Sequence, residues 1–482
     1  MTRREFLKKM IIGTGLLFCG CEHIIAEDNG RERGRERNGA LPFRSNNPSI
    51  RHHNSRCRNC GRCRSFCRGT IGVFGQTVPS GDDACTYCGQ CTLYCTRAIT
   101  ERYHYQEVNQ AINATDKIVI ATTAPAIRVA LGEMYRLSPG TNVEGKIVSA
   151  LKNIGVDYVL DATFAADLTV MEEASELIQR LENNNTSNPL PMFTSCCPAW
   201  VRFAKLFYPR LLPNLSTVKS PLLMQGALVK TYFAQKTGID PTKIVSVALA
   251  PCTAKKAEIL LPGKNAAGIV HGNSGMRDVD YVLTTRELAY LFNDNNVNFH
   301  QMQNASYNSL IGSGSGAGMI FGNTGGVMEA SLRTAYRLLN NNNPPANFFN
   351  LSPIRGLDSV RHATVNLGSR TLNVAVAHGT GDIRPFLNSV QNGSTNYDFI
   401  EVMACSGGCI NGGGQPVNTM SSTRLKQLRM NALYQRDTAS EIRLSYDNPQ
   451  IREIYDDFLD EPLSVKAKEL LHDSLRSSSL RN

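Results

Sequence analysis

Beyond residue 110 the chain alternates between two hydrophobic patterns. Short apolar, β-branched-rich runs end in small or turn-forming residues: "KIVIATTAP" (117–125), "VDYVLDATF" (156–164), "IVSVALAPC" (244–252), "TLNVAVAHG" (371–379) and "YDFIEVMAC" (397–405). They read as strands. Between them lie longer amphipathic stretches such as "MEEASELIQRLENN" and "GNTGGVMEASLRTAYRLL", which read as helices. Strands alternating with helices predict an α/β domain of two parallel-sheet lobes flanked by helices. In such sheets ligands collect beyond the carboxyl ends of the strands.

The pattern before residue 110 is different, and it divides the chain. Residues 1–26 carry "TRREFLKK", a twin-arginine pair, followed by the apolar run "MIIGTGLLF". That run is shorter than the ~20 residues needed to span a bilayer. It reads as a twin-arginine export signal, a route for folded, cofactor-loaded proteins to the periplasm. "LFCGC" resembles a lipoprotein cleavage box, with Cys21 as the residue to be lipidated and so a membrane anchor. Residues 27–50 are polar, charged and aperiodic, a flexible basic linker, and His52 and His53 just beyond read as linker too. Residues 51–108 form a cysteine-rich block with an α+β, ferredoxin-like reading. The α/β domain takes 109–425, and 426–482 reads as a helical extension wrapping it.

Fifteen cysteines in 482 residues change the picture most. Nearly all stand two to four residues apart, which is metal-ligand spacing rather than a disulfide framework. "CRNCGRCRSFC" and "CTYCGQCTLYC" are each C-x2-C-x2-C-x3-C. This is the spacing of a bacterial two-cluster ferredoxin, in which the fourth cysteine of each run ligates the other cluster. On that pattern Cys57, Cys60, Cys63 and Cys95 hold one 4Fe-4S cluster, and Cys85, Cys88, Cys91 and Cys67 hold the second. Structural zinc sites would not need this triple spacing. Arg68 and Thr96 replace the usual proline after the fourth cysteine.

The formal net charge is +10, with arginines crowding the linker and the cysteine block. Nucleic-acid binding is set aside, because aromatic interleaving and a recognised nucleic-acid motif are both missing. An acidic protein partner or a membrane surface fits this charge better.

Three further segments bring cysteines to strand ends: "TSCCPAW" (194–200), "PCTAKKAE" (251–258) and "EVMACSGGCINGGGQP" (401–416). In this order they resemble the signature segments of the iron–iron hydrogenases. "FGNTGGVMEASLRTAY" and the tail "NPQIREIYDDFLDEPLSVKAKELLH" resemble the same family, so the likeness runs from about residue 51 to the C-terminus. The resemblance implies an H-cluster: a 4Fe-4S cubane joined through a cysteine sulfur to a diiron unit bearing CO, cyanide and an azadithiolate bridge. Matching positions imply Cys197, Cys252, Cys405 and Cys409 as cubane ligands, with Cys409 bridging. They imply Lys255, Pro125, Ala126, Ser220, Met403 and Gly408 around the diiron unit, whereas Lys256 by itself reads as a surface lysine. The glycines of the third segment leave room and bare backbone beside a bulky group.

The resemblance also implies a proton relay of Cys196, Glu173, Ser216 and Glu176, with Arg180 at its outer end. Glu173, Glu176 and Arg180 fall on one helix face. Without the resemblance they would read as ordinary solvated charges. Two departures stand out: Ala250 where catalytic members have methionine, and Leu222 where many have glutamine. The reading is therefore a monomeric, exported enzyme for reversible H2 oxidation and proton reduction, exchanging electrons with a c-type cytochrome or a ferredoxin. A sensory, low-turnover H-cluster protein and a non-catalytic electron-transfer ferredoxin fusion are the competing readings.

Overall fold

The computed structural model describes residues 41–78, 84–183 and 187–473. The export signal, Cys21 and most of the linker lie outside these residues.

The cysteine-rich block is closed by a two-stranded antiparallel ribbon, β1 (Ile50–His52) on β2 (Ile99–Glu101). Between them lie two short helices, α1 (Arg62–Gly69) and α2 (Gln90–Tyr94). Part of the stretch read as linker, residues 41–50, carries local structure. Asn47 and Ser49 are buried, and the Asn47 Oδ1 accepts from the Ser49 and Ile50 backbone N–H groups at 3.0 and 3.1 Å. His52 and His53 are likewise not linker: His52 pairs with Ile99, and the His53 ring lies 3.1 Å from the Thr100 hydroxyl.

Two four-stranded sheets form the rest. In the first, β3 (Ile118–Thr123), β4 (Tyr158–Asp161), β6 (Ile244–Ala250) and β7 (Tyr281–Thr284) are ordered β4-β3-β6-β7 and all parallel. In the second, β5 (Met192–Phe193), β8 (Val360–Asn366), β9 (Thr371–His378) and β10 (Phe399–Met403) are ordered β5-β10-β9-β8. There β5, β10 and β9 are parallel, but β8 runs antiparallel to β9, so this lobe is mixed rather than purely parallel. The cause is the short "LGSR" connection, closed by Leu367 N–H on the Arg370 carbonyl. A loop that short makes a hairpin, whereas a parallel pair needs a long crossover. The β8 strand sits at the sheet edge and is half exposed.

Helix α3 (Ala162–Glu182) leaves directly from β4, with the Asp161 side chain capping Thr163 N–H at 3.0 Å. Sixteen of its twenty-one residues are buried. Helices α4 (Pro198–Phe207), α5 (Ala254–Glu258) and α6 (Gly326–Asn340) follow strands or turns at the same end of the sheets. The C-terminal segment, with α7 (Ser422–Thr438) and α8 (Val465–Leu471), wraps α3. It delivers Tyr455, Leu463 and His472 to the buried Glu172, and Ser445 and Asn448 to the buried Asp167. Among the described residues no helix is long and apolar enough to cross a membrane.

Candidate active site

Every segment that matters ends at a strand's carboxyl end. Pro125 and Ala126 follow β3, Cys252 follows β6, Cys196 and Cys197 follow β5, and Cys405 follows β10. The two sheets therefore face one locus between them, where open α/β sheets bind ligands. Cys197 caps α4, with Pro198 in the first turn, and its Sγ lies 3.5 Å from the Ala404 backbone nitrogen.

Burial raises all four thiols Cys197, Cys252, Cys405 and Cys409, that of Cys252 to about 12. Mutual charge adds to this: Cys405 feels Cys252, Cys197 and Cys409, and Cys409 feels Cys197 and Cys252. Four soft sulfur donors so close, and so reluctant to ionise alone, fit a site completed by a cationic iron–sulfur group. Among the described residues no three His, Cys, Asp or Glu side chains close on a single metal ion.

Thiol neighbours in the cysteine-rich block are crossed between the two runs. Burial raises Cys63, with Cys95 and Cys57 adding, and raises Cys67 to about 11, with Cys85 and Cys63 adding. Cys91 is pushed up by burial and then by Cys88, Cys85, Cys67 and Cys63. Cys88, raised to about 11 by burial, feels both Cys67 and Cys197, and so stands between the cysteine-rich block and the larger site.

The glycine run has a sharper purpose than room for a ligand. A Cβ on Gly412 would lie 2.2 Å from the Pro251 carbonyl oxygen, and one on Gly413 2.1 Å from that of Cys88. The loop threads between the two, and only bare backbone passes. Gly408 sits at φ +93°, where a Cβ would meet Thr324 N at 2.6 Å and the Met403 Sδ at 3.0 Å. A cradle of small residues and buried thiols is what the implied group requires.

Lys255 is buried, and its Nζ donates to Glu258 at 2.7 Å and to the Cys196 carbonyl at 3.2 Å. Burial alone would lower it, but Glu258, then Cys252 and Cys196, hold it above its usual value. Ser220 donates to the same Glu258 oxygen at 3.1 Å, so one carboxylate orients two expected donors. Lys256 is not a surface lysine. It is fully buried, pairs with Glu287 at 2.9 Å and donates to the Val282 carbonyl. Ala250 and Leu222 pack in one apolar cluster with Ala162, Leu223 and Ile259, while Met403 packs with Phe321 and Cys196.

Glu173, Glu176 and Arg180 are buried on α3, not solvated as isolated helix charges would be. Burial raises the Cys196 thiol, and the Glu173 charge raises it further, which makes these two neighbours. Ser216 Oγ donates to Glu176 at 2.8 Å, and Thr217 N–H donates to both Glu176 oxygens. Arg180 grips Glu176 at 2.5 Å and spends its other N–H groups on the Asn214, Leu215 and Pro189 carbonyls. A cavity of about 630 Å³ lies at this end, lined by Glu176, Arg180, Thr217, Lys468 and His472 among others.

Two residues escaped the sequence reading. Glu258 was visible within "PCTAKKAE", three residues after Lys255, but its burial was not. Gln90, between Cys88 and Cys91, donates from Nε2 to Cys405 Sγ at 3.3 Å and to the Asn411 carbonyl at 2.6 Å. Both partners are acceptors, which sets the orientation of the amide. No local signal announces a contact across 315 residues of chain.

Residues 117–413 match the model of the iron only hydrogenase large subunit, C-terminal domain, and 423–474 match that of the iron hydrogenase small subunit. The chain is 39% identical over 437 residues to iron hydrogenase 1 of Clostridium pasteurianum, covering 87% of this chain and 74% of that one. It is 41% identical over 369 residues to the periplasmic Fe hydrogenase large subunit of Nitratidesulfovibrio vulgaris, covering 75% and 85%. It is also 32% identical over 391 residues to the cytosolic iron-sulfur assembly component 3 of Mus musculus, covering 78% and 79%. An apo iron–iron hydrogenase structure from Chlamydomonas reinhardtii superposes with a TM-score of 0.67 at 38% identity, covering 77% of this chain and 98% of that one. A match over this length makes the chain a member of the iron-only hydrogenase large-subunit family.

Proposed function

We propose that this protein catalyses the reversible reaction H2 ⇌ 2H⁺ + 2e⁻ at an H-cluster, with electrons passing through two 4Fe-4S clusters. The observation that carries this reading is the placement of Cys196. It lies within electrostatic reach of both Glu173 and the Cys197 and Cys409 thiols. When bound, the H-cluster supplies the metal centre at which H2 is split or formed. Cys197, Cys252, Cys405 and Cys409 would hold its cubane; Cys57, Cys60, Cys63 and Cys95, and Cys85, Cys88, Cys91 and Cys67, would hold the two others.

The chain's own residues then manage protons and fit. Cys196 Sγ gives and takes the proton nearest the reaction, and Glu173 is its next partner. Ser216 hands on to Glu176 through their 2.8 Å bond, and Arg180 holds that carboxylate at the cavity. Lys255 presents an ammonium and Ser220 a hydroxyl, both oriented by Glu258, toward anionic ligands. Pro125, Ala126, Met403 and Gly408 shape the walls. The twin-arginine pattern and the periplasmic relative support a periplasmic enzyme working in the direction of H2 uptake.

The test is Cys196→Ala in matured protein. Iron content should stay at three cubanes plus two further irons, with cluster spectra retained, while H2 turnover with viologen falls by about 10²-fold or more, the scale of a lost general acid–base group. Turnover at the parent rate would refute the relay. Loss of the cubane signal would mean that Cys196 and Cys197 exchange roles. A parent with all its iron but no turnover would favour the sensory, electron-transfer or cluster-assembly alternatives.

A further inference from the structure

The cysteine-rich block carries a strongly basic surface. Residues 41–100 hold eight arginines against two acidic residues, Asp82 and Asp83. Arg51, Arg56, Arg58, Arg62, Arg68 and Arg97 are exposed. They crowd the thiols at one end. Arg56 and Arg58 flank Cys57, Arg62 follows Cys60 by two residues, and Arg97 Nε bonds the Arg56 carbonyl at 3.0 Å. That bond brings the arginine after Cys95 alongside the one before Cys57.

Two further observations point to the same face. Among the described cysteines, Cys60 alone is exposed, and the others are half-buried or buried. Tyr94, next to Cys95, is 58% exposed and stacks on Phe66 with ring centroids 3.6 Å apart. A rigid exposed aromatic amid arginines has the composition of a protein-binding surface, where Tyr and Arg are enriched.

We propose that Arg56, Arg58, Arg62 and Arg97, with Tyr94, form the docking surface for an acidic one-electron carrier protein, which exchanges electrons through the cluster edge at Cys57 and Cys60. This rests on the assignment of Cys57, Cys60, Cys63 and Cys95 to one cluster. Each H2 oxidised releases two electrons and two protons, so two carrier molecules are reduced in turn. Like charge disfavours a lysine-rich cytochrome at this face. A membrane surface would use the arginines but would give the exposed thiol and tyrosine no role.

The test uses the full matured chain and the double variant Arg58→Glu/Arg62→Glu. The probes are a purified acidic plant-type ferredoxin, a lysine-rich c-type cytochrome, methyl viologen and phosphatidylserine-containing vesicles. For H2-driven ferredoxin reduction, KM should rise at least about tenfold with kcat and viologen rate unchanged, and the parent's KM should climb with salt. Arg58→Gln/Arg62→Gln should give a smaller rise, which guards against a folding defect. Stopped-flow electron transfer from chemically reduced clusters to ferredoxin reads docking without H2 and should slow in the same order. A protein inactive with H2 that still shows this order fails as a hydrogenase but retains the docking surface. An unchanged ferredoxin KM, a parent preference for the cytochrome, or a variant defect confined to vesicle binding would overturn the proposal.

Discussion

Gln90 ties the cysteine-rich block to the site at Cys405. It stands between Cys88 and Cys91 and donates to the Cys405 sulfur, and hydrogen bonds to cluster sulfurs are among the levers that set cluster potentials. An N–H···S bond stabilises the more negative, reduced state. Gln90→Leu should therefore lower the midpoint potential of the cubane at Cys405 while iron content stays the same, as read by an EPR redox titration. An unchanged midpoint would reduce Gln90 to a packing residue. The neighbouring lysines show where the sequence falls short at this scale. Lys255 was legible because it lies in a recognisable segment. Lys256 was not, because its partner Glu287 lies on a different helix and becomes its neighbour only after folding.

At the scale of elements, Arg286 joins the two halves of the molecule. It grips Glu101 on β2 through two bonds of 2.8 and 3.0 Å, and also reaches the Thr92 hydroxyl and the Gly413 and Gln415 carbonyls. Burial would raise Glu101, but the Arg286 charge and hydrogen bonds outweigh it and hold the carboxyl below its usual range. A depressed carboxyl stabilises the fold above its unfolded pKa of ~4.3 and loses that contribution as pH falls through the folded value. Arg286→Met, which leaves Glu101 buried and unpaired, should destabilise the protein by about 3–5 kcal/mol at neutral pH. The gap between parent and variant should shrink on acidification below pH ~4, measured by thermal melts across pH. A pH-independent gap would assign the loss to packing alone. None of this was readable in advance, although the strands that frame it were. The runs that became β3, β4, β6, β9 and β10 carry long apolar signals. In contrast, β5 has only two residues, and β8 alternates as an edge strand.

Under the proposed function the charged traffic is divided across the whole molecule. Thiols and arginines line one route, from Cys60 inward through Cys88 to Cys405, while buried carboxylates and hydroxyls line another along α3 to the cavity beside His472. The resemblance implied both routes, but nothing local signalled the casing of the second. Glu173, Glu176 and Arg180 look like surface charges until the C-terminal segment, which anchors Tyr455 and His472 on Glu172, covers their helix.

The placement of Cys197, Cys252, Cys405 and Cys409 has a mechanical side. Cys252 hangs from one sheet and the other three from the second, and their segments are far apart in the sequence. A group bound by all four would be a rivet through two plates, restraining the lobes as a cross-link restrains a polymer network. Without it the lobes keep their separate cores but lose the fastening at their common edge. Amide hydrogen exchange should therefore be faster in cluster-free protein at Pro251–Lys255 and at Ala404–Gly414, and little changed in the sheet cores. Equal exchange in both forms would mean that the polypeptide alone holds the lobes together.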